Sequence, residues 1–306
     1  MADIRIGISG WRYAPWRGDF YPKGLTQANE LAFASRAVRA IEINGSFYAL
    51  QAPDRYAEWY AATPKGFMFS VKGPRYITHT RRLKDIETPL ANFYASGIFH
   101  LKEKLGPFLW QFPPNFRFDP ERFEAFFNLL PRTTAQALAL AKKADARLSK
   151  PGYLEIPRRG TLRHAVEIRH ESFATPAFVE LLRRHNVALV VADTAGKWPY
   201  AEDLTSDFVY IRLHGDAKLY ESGYSDDALD RWQARIDIWS HGRQVKDPKT
   251  LSTARPRPRK SRDVFCFFDN DVKVHAPYDA RALLKRLGLE GGLATVPGQS
   301  PAHGLS

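Results

Sequence analysis

Short β-like runs that alternate with helical patterns constrain the fold of this 306-residue chain most strongly. Eight such runs recur: Ile4–Ile8, Ala40–Ile43, Phe67–Val71, Phe108–Phe112, Ala165–Ile168, Ala188–Ala192, Phe208–Leu213 and Val264–Phe268. Helical patterns follow most of them, at Leu31–Arg39, Pro53–Ala62, Pro120–Leu130, Thr134–Arg147, Pro176–His185, Ser225–Trp239 and Ala276–Leu287. Strands that alternate with helices are expected to pair in parallel. Eight such units predict an α/β fold, a TIM-like (β/α)8 barrel that forms a single domain with loop insertions over residues 1–290.

A doubly wound open sheet is the alternative architecture for the same alternation of strands and helices. No Gly-rich dinucleotide-binding loop or Walker loop follows the first strand, so the chain has no nucleotide-cofactor motif and the barrel is favoured. Residues 291–306 are rich in Gly, Pro and Ser, which predicts a flexible C-terminal tail.

The net charge of +12 suggests an anionic partner, but the charge is concentrated in one segment. Residues 243–262 contain eight Lys or Arg residues and one acidic residue, Asp247. This composition predicts a solvated loop inserted in the barrel. The loop either contacts the phosphates of a nucleic acid or is an exposed insertion with no specific role.

Polar side chains occur on strand positions that face the barrel interior. Because side chains alternate faces along a strand, Glu42 points inward when Ile41 and Ile43 point outward. The same alternation selects further polar residues near the carboxyl ends of the strands, where the active sites of such barrels lie. The candidate catalytic residues are Glu42, Glu167, His170 and His214. The candidate substrate-binding residues are Asn44, Tyr48, Lys72, His79, Gln111, Arg169, Arg212 and Asn270. The alternative is a closed ion-pair network that only fills the barrel.

A divalent metal in the barrel mouth is a further hypothesis, and the sequence leaves the cofactor undetermined. The oxygen and imidazole donors for such an ion are scattered over several strand ends: Glu167, Asp193, His214, Asp269, Asn270 and Asp271. The single cysteine, Cys266, excludes a disulfide framework and a cysteine-based zinc site.

Membrane insertion and secretion are not expected. No apolar run approaches the ~18–20 residues that span a bilayer. Residues 1–5 lack the apolar core of a signal peptide. We therefore expect a soluble, cytoplasmic protein.

A set of short motifs resembles the YecE-like family, a family of proteins of unknown function. They are Gly7–Trp11, Trp16–Pro22, Ile41–Tyr48, Phe67–Lys72 with Thr78 and His79, Leu105–Pro107, Gln111–Pro114, Glu167–His170, Tyr210–Gly215 and Phe268–Asp271. The resemblance implies a TIM-like barrel and no established activity. Two departures from the family pattern are Phe173, where the family often has Trp, and Asp269, where it often has Asn.

These observations predict an enzyme that acts on a small anionic substrate, such as a phosphorylated sugar or a nucleotide-like molecule. Lys72, Arg169 and Arg212 would hold the anion through charge-assisted hydrogen bonds. Glu42 or Glu167 would act as general base and His214 or His170 as acid, in a hydrolysis or an isomerisation. The alternatives are a nucleic-acid-binding or nucleic-acid-processing barrel that uses residues 243–262, and a non-catalytic ligand sensor. The oligomeric state is left open.

Overall fold

Eight parallel strands form a closed barrel in the computed structural model, which describes residues 2–148, 151–152 and 160–301. Each strand pairs with the next along the chain, and the last pairs with the first. The strands are β1 (Ile4–Ser9), β2 (Ala40–Ile43), β3 (Met68–Lys72), β4 (Leu105–Gln111), β5 (His164–Glu167), β6 (Ala188–Asp193), β7 (Phe208–Leu213) and β8 (Asp263–Phe268). The predicted (β/α)8 barrel is confirmed, and each strand overlaps its predicted run.

Helices surround the barrel and connect most of the strands. In the described residues they are α1 (Glu30–Ala37), α2 (Gly45–Tyr48), α3 (Pro53–Ala62), α4 (Glu87–Ala95), α5 (Pro120–Leu129), α6 (Thr134–Ala141), α7 (Pro176–Arg184), α8 (Asp226–Ser240) and α9 (His275–Arg286). The prediction that α6 extends to Arg147 was wrong. The helix ends at Ala141, and beyond it Asp145 accepts hydrogen bonds from Asn92 and from the Arg147 backbone N–H in a non-helical segment.

The apolar residues form two separate cores, as the alternation along the strands predicts. One core lies between the strands and the helices and includes Ile41, Ile43 and Val71. The other fills the barrel interior, with Ala40, Leu109, Ala165, Ala188, Val190, Ala192, Phe208, Tyr210, Phe265 and Phe267. The interior core is built largely from the middle and N-terminal parts of the strands. The polar strand-end residues therefore lie above an apolar floor.

The close approach of β1 to β2 requires a glycine. A Cβ atom on Gly7 would lie 1.8 Å from the backbone oxygen of Ala40, which no side chain tolerates. The same register places Ser9 beside Glu42. Gly7 thus allows β1 and β2 to bring two polar side chains together at the mouth.

The basic loop, residues 243–262, lies between the end of α8 and the start of β8 and forms neither helix nor strand. It therefore enters the barrel at the N-terminal end of β8, opposite the C-terminal mouth. Arg262 within it is buried and donates to the backbone oxygens of Ser206, Gly242 and Arg257.

Part of the predicted tail contacts the body of the barrel. The backbone N–H groups of Ala294 and Thr295 donate to Arg36 O, and that of Gly298 donates to Phe20 O. Residues 302–306 lie outside the described residues. No helix in the described ranges has the length and apolar character that crossing a membrane requires.

Candidate active site

Arg212, at the end of β7, lies at the centre of a buried polar network. Its guanidinium contacts three carboxylates: Nη2 lies 2.8 Å from Glu42 Oε1 and 2.9 Å from Asp269 Oδ2, and Nη1 lies 2.6 Å from Glu167 Oε2. Arg212 itself is 0% exposed. Burial alone would lower the pKa of Arg212, but the three carboxylates raise it well above its usual value. The network brings together the ends of β2, β5, β7 and β8.

Hydrogen bonds hold Glu42 in one position. Ser9 Oγ donates to Oε1 at 2.6 Å, and the Tyr210 hydroxyl donates to Oε2 at 2.6 Å. Ser70 Oγ lies 2.7 Å from the same tyrosine hydroxyl and extends the network to β3. Because Glu42 is fully buried, these neutral donors and Arg212 together compensate for its lost hydration.

Glu167 carries a second cation, Arg169, whose Nε lies 2.7 Å from Oε1. Arg169 also donates to the Tyr220 hydroxyl at 3.2 Å, and its guanidinium lies 3.9 Å from the ring centroid of Trp198. Burial would raise the pKa of Glu167, but Arg169 and Arg212 hold it well below its usual range. Glu167 is therefore a carboxylate anion at neutral pH.

Asp269 and His214 lie on the other side of Arg212. Asp269 Oδ2 is 3.0 Å from His214 Nδ1, an ion-pair distance without hydrogen-bond geometry. Burial raises the pKa of Asp269, but the opposing effect of Arg212 and His214 is larger and holds it well below its usual value. Next to it, burial and the charge of Asp269 raise the pKa of Asp271 to about 6.

The side chain of Lys72, at the end of β3, is largely buried, and its amine makes no hydrogen bond or ion pair among the described residues. Its Nζ lies 4.4 Å from the ring centroid of Phe47. Burial and the neighbouring charge of Arg212 lower the pKa of Lys72 to about 8, against the attraction of Glu42, Asp269 and Glu167. Lys72 is thus a cation of the mouth that no described residue neutralises by direct contact.

Three further predicted residues present polar atoms at the mouth. His79 lies on a π-helical turn, Tyr76–Thr80, with Nδ1 2.8 Å from Thr78 Oγ1, and its ring packs against Phe47. Burial and the charges of Lys72 and Arg169 lower the pKa of His79 to about 4, so the imidazole is neutral at pH 7. Gln111, paired with Glu167 in the barrel register, makes no hydrogen bond through its amide among the described residues. Asn44 donates to Ser9 Oγ and leaves Oδ1 buried without a partner.

The remaining predicted site residues lie apart from this network. His170 accepts a hydrogen bond from the backbone N–H of Ser172 and so caps the short turn after β5. Asn270 donates to Ser222 O and to Asp279, which fixes the loop after β7 against α9. Tyr48 is 70% exposed and lines a groove of about 420 Å³ between the loops after β1 and β2.

No group of three His, Cys, Asp or Glu side chains in the described part of the chain is placed to hold a metal ion. A guanidinium already lies among the carboxylates of Glu42, Glu167 and Asp269. Asp193 is directed elsewhere and accepts from the Tyr224 hydroxyl. The scattered donor set therefore gives no geometric support for a divalent metal centre.

The segments that follow the strands, helix α2 and two loops, supply three residues that strand alternation does not reveal. Phe47, Trp198 and Tyr220 follow β2, β6 and β7, and they contact Lys72, Arg169 and His214 respectively. Their sequence signal is weak: each is an aromatic residue that follows the end of a strand by four to seven positions. Asp269, considered above as a metal ligand, belongs to the Arg212 network.

A family profile described as "Protein of unknown function DUF72" matches residues 5–303. The UPF0759 protein YunF of Bacillus subtilis is 24% identical over 313 residues, covering 95% of this chain and 97% of YunF. The UPF0759 protein YecE of Escherichia coli is 27% identical over 127 residues, covering 42% of this chain and 43% of YecE.

Solved structures with the same fold include two DUF72 family proteins. The one from Thermotoga maritima is 24% identical with a TM-score of 0.66, covering 94% of this chain and 99% of the other. The one from Enterococcus faecalis is 18% identical with a TM-score of 0.66, covering 94% and 96%. Both agree with the barrel described above, and neither name states an activity.

Proposed function

We propose that this chain, which belongs to the DUF72 family as its motifs predict, is an enzyme that acts on a small anionic substrate at the C-terminal mouth of the barrel. The observation that carries the proposal is Lys72, a buried cation without a hydrogen-bond partner in the described residues. A bound anion would provide the missing partner through a charge-assisted hydrogen bond. Phosphorylated sugars and nucleotide-like molecules are substrates of this class.

The three predicted cations take different parts in this proposal. All five donor hydrogens of Arg212 face Glu42, Glu167, Asp269, Ser9 and His214, so Arg212 positions the carboxylates. Arg169 binds Glu167 and Tyr220 through Nε and Nη2, which leaves Nη1 available to a ligand. Lys72 and Arg169 are therefore the cations that we assign to the substrate.

Proton transfer is assigned to buried groups that contact Arg212, namely Glu42, Glu167 and His214. Of the two histidines considered as acid partners, His214 lies within 3.9 Å of Glu167, whereas His170 caps a turn. Glu42 and Glu167 are the carboxylates of the site, and the low pKa of Glu167 makes it a weak general base. We therefore favour Glu42 with His214 as the acid–base pair, in a hydrolysis or an isomerisation.

Titration with inorganic phosphate, ribose 5-phosphate and AMP, followed by calorimetry and thermal shift, tests the proposal. We expect at least one of these anions to bind while ribose does not. Lys72→Gln should weaken binding by about tenfold or more, since hydrogen bonds to charged groups contribute about 1.5–3 kcal/mol. Lys65→Gln, an exposed lysine that precedes β3, is the control. Equal affinity in Lys72→Gln and the wild type would contradict the proposal, and binding without any turnover would favour a ligand sensor.

A nucleic-acid-binding role is a second candidate, favoured by the basic loop. None of the eight Lys and Arg residues in 243–262 forms an ion pair with a described residue. Seven of the eight are exposed, whereas Arg262 is buried, and exposed cations without carboxylate partners are suited to phosphate contacts. The loop joins β8 at the N-terminal end of that strand, while its Lys249 lines a cavity with Asp193 and Asp216 near the carboxyl ends of β6 and β7. None of the residues that we assign to the proposed chemistry lines that cavity.

Neutralising the basic loop tests that second role. In a variant with Arg255, Arg257, Arg259 and Lys260 replaced by Ser, the affinity for a single-stranded oligonucleotide should fall. The slope of log affinity against log salt concentration should also become shallower, by an amount equivalent to the loss of up to about three to four phosphate contacts. The matched control replaces four exposed cations elsewhere, Lys23, Lys65, Arg117 and Lys142. Equal losses in both variants would show a nonspecific effect of net charge and would exclude a specific role for the loop.

A further inference from the structure

Two lysines of the described chain are buried in different ways. Lys104 is 4% exposed, and its Nζ donates to Tyr60 O, Thr63 O and Thr63 Oγ1 at 2.6–3.0 Å. Lys72 is 8% exposed, yet its Nζ has no hydrogen-bond or ion-pair partner in the described residues. The Lys72 Nζ nevertheless keeps some contact with solvent, so the amine is open to a ligand and suited to a role in binding or chemistry.

The position of Lys72 suggests that role. Its amine lies at the carboxyl end of β3, beside the aromatic face of Phe47 and on the side of the barrel where active sites form. Glu42, Glu167 and Asp269 are the nearby carboxylates, but Arg212 and Arg169 occupy them. No carboxylate oxygen in the described residues comes within 4.0 Å of the amine, so nothing fixes it as an ammonium.

We propose that Lys72 is a nucleophile that forms a Schiff base with the carbonyl carbon of the substrate, which is therefore a small anionic aldehyde or ketone. This inference rests on the proposed function and names the substrate class of the same site. Desolvated lysines beside another cation are activated for such attack. The neighbouring charge of Arg212 and the burial of the amine, which lower its pKa to about 8, supply both conditions.

The step balances with no further reactant. The neutral amine attacks the carbonyl carbon, a C–N bond forms, and the π electron pair moves to the carbonyl oxygen. Both amine protons then leave with that oxygen as water, and a C=N double bond remains. Nothing is oxidised or reduced. The Nη1 of Arg169 and the amide of Gln111 lie at the neighbouring strand ends and would hold the anionic group.

Reductive trapping tests this step. Wild-type protein at pH 8 is incubated with glycolaldehyde phosphate or glyoxylate and sodium cyanoborohydride, and the adduct is located by intact mass and peptide mapping. We expect the adduct at Lys72 to form at least about tenfold faster than at any other lysine, because an ordinary lysine is almost fully protonated at pH 8. Peptide mapping separates this adduct from one at the α-amino group, which is also partly neutral at pH 8. Glycolaldehyde, which has no anionic group, should react more slowly. Lys104 is the internal control and should remain unmodified.

Two variants and a competitor separate this inference from the proposed function. Lys72→Arg and Lys72→Met should lose the fast adduct, and their thermal unfolding verifies that they are folded. Glycerol phosphate, an anion without a carbonyl, should protect Lys72 in the wild type. If glycerol phosphate binds but labelling is spread over exposed lysines and spares Lys72, the Schiff base is wrong and the anion site stands. If no anion binds and Lys72 is not labelled, both proposals fail.

Discussion

Replacing Arg212 with Met is expected to lower the free energy of unfolding by about 3–5 kcal/mol at pH 7, because it leaves buried carboxylates without their cation. Glu42 and Glu167 are fully buried, and Asp269 is nearly so. Glu167 would keep Arg169, but Glu42 and Asp269 would lose the guanidinium that holds them together. Urea unfolding followed by tryptophan fluorescence measures the loss.

The loss of stability in Arg212→Met should depend on pH in a defined direction. In the wild type, the lowered pKa values of Glu167 and Asp269 contribute stability that is present above about pH 4.5 and is lost as the pH falls through the native pKa values. In Arg212→Met, Asp269 stays buried but loses this cation, which raises the pKa of Asp269, so protonation of Asp269 stabilises the variant at acid pH. The difference in stability between the two proteins should therefore shrink as the pH is lowered from 7.

Two further variants are the controls for Arg212→Met. Arg55 forms an exposed ion pair with Glu58, and Arg55→Met should change stability by less than about 0.5 kcal/mol. Arg212→Lys retains the charge but lacks the planar fork that reaches three carboxylates, so an intermediate loss is expected. If Arg212→Met had the same free energy of unfolding as the wild type, the Arg212 network would contribute nothing to the stability of the fold.

The fold could be predicted because its signal is local. Each strand is a short apolar run, and the alternation within it separates Ile41 and Ile43, in the outer core, from Glu42 in the interior. Helix α4 (Glu87–Ala95) was missed for the converse reason. Six consecutive residues from Leu90 to Ala95 are buried, so no face of this helix is polar and the 3.6-residue pattern is lost.

The site could be predicted only in part, because its pairings depend on barrel closure. The alternation of side chains along the strands predicts that Lys72 and Arg212 both lie at the mouth, and it does not distinguish between these two cations. In the folded chain Arg212 reaches three carboxylates from β2, β5 and the end of β8, whereas Lys72 reaches none within ion-pair distance. Contacts from loops, such as Trp198 on Arg169, follow no periodicity that a sequence reveals.

The buried positive charge of Lys72 is expected to lower the free energy of unfolding of the wild-type protein. A pKa of about 8 in place of 10.5 means that the folded environment opposes its positive charge. Since one pKa unit corresponds to 1.36 kcal/mol, the difference is at most about 3 kcal/mol. Lys72→Met keeps the aliphatic chain and removes the charge, so it should raise the free energy of unfolding by about 1–3 kcal/mol at pH 7. It should also weaken binding of the anionic substrate by about tenfold or more, as expected for Lys72→Gln.

The gain in Lys72→Met should depend on pH in a defined way. Below about pH 8 the wild-type amine is protonated in both the folded and the unfolded chain, so the gain is complete. Between about pH 8 and 10.5 the unfolded chain binds a proton that the folded chain has released, and wild-type stability rises with pH. The higher unfolding free energy of the variant should therefore disappear between about pH 8 and 10.5. Besides burial, the charges that set the pKa of Lys72 are those of Arg212, Glu42, Asp269 and Glu167.

Lys104→Met is the matched comparison and should have the opposite sign. Its amine donates three hydrogen bonds to Tyr60 and Thr63, so its removal leaves buried acceptors without a donor. Urea unfolding of both variants and the wild type from pH 6 to 10.5 provides the data. A loss of stability in Lys72→Met at pH 7, or a difference that does not change with pH, would mean that Lys72 supports the fold. A gain together with lost binding would show that the mouth retains this cation for a ligand at the expense of stability.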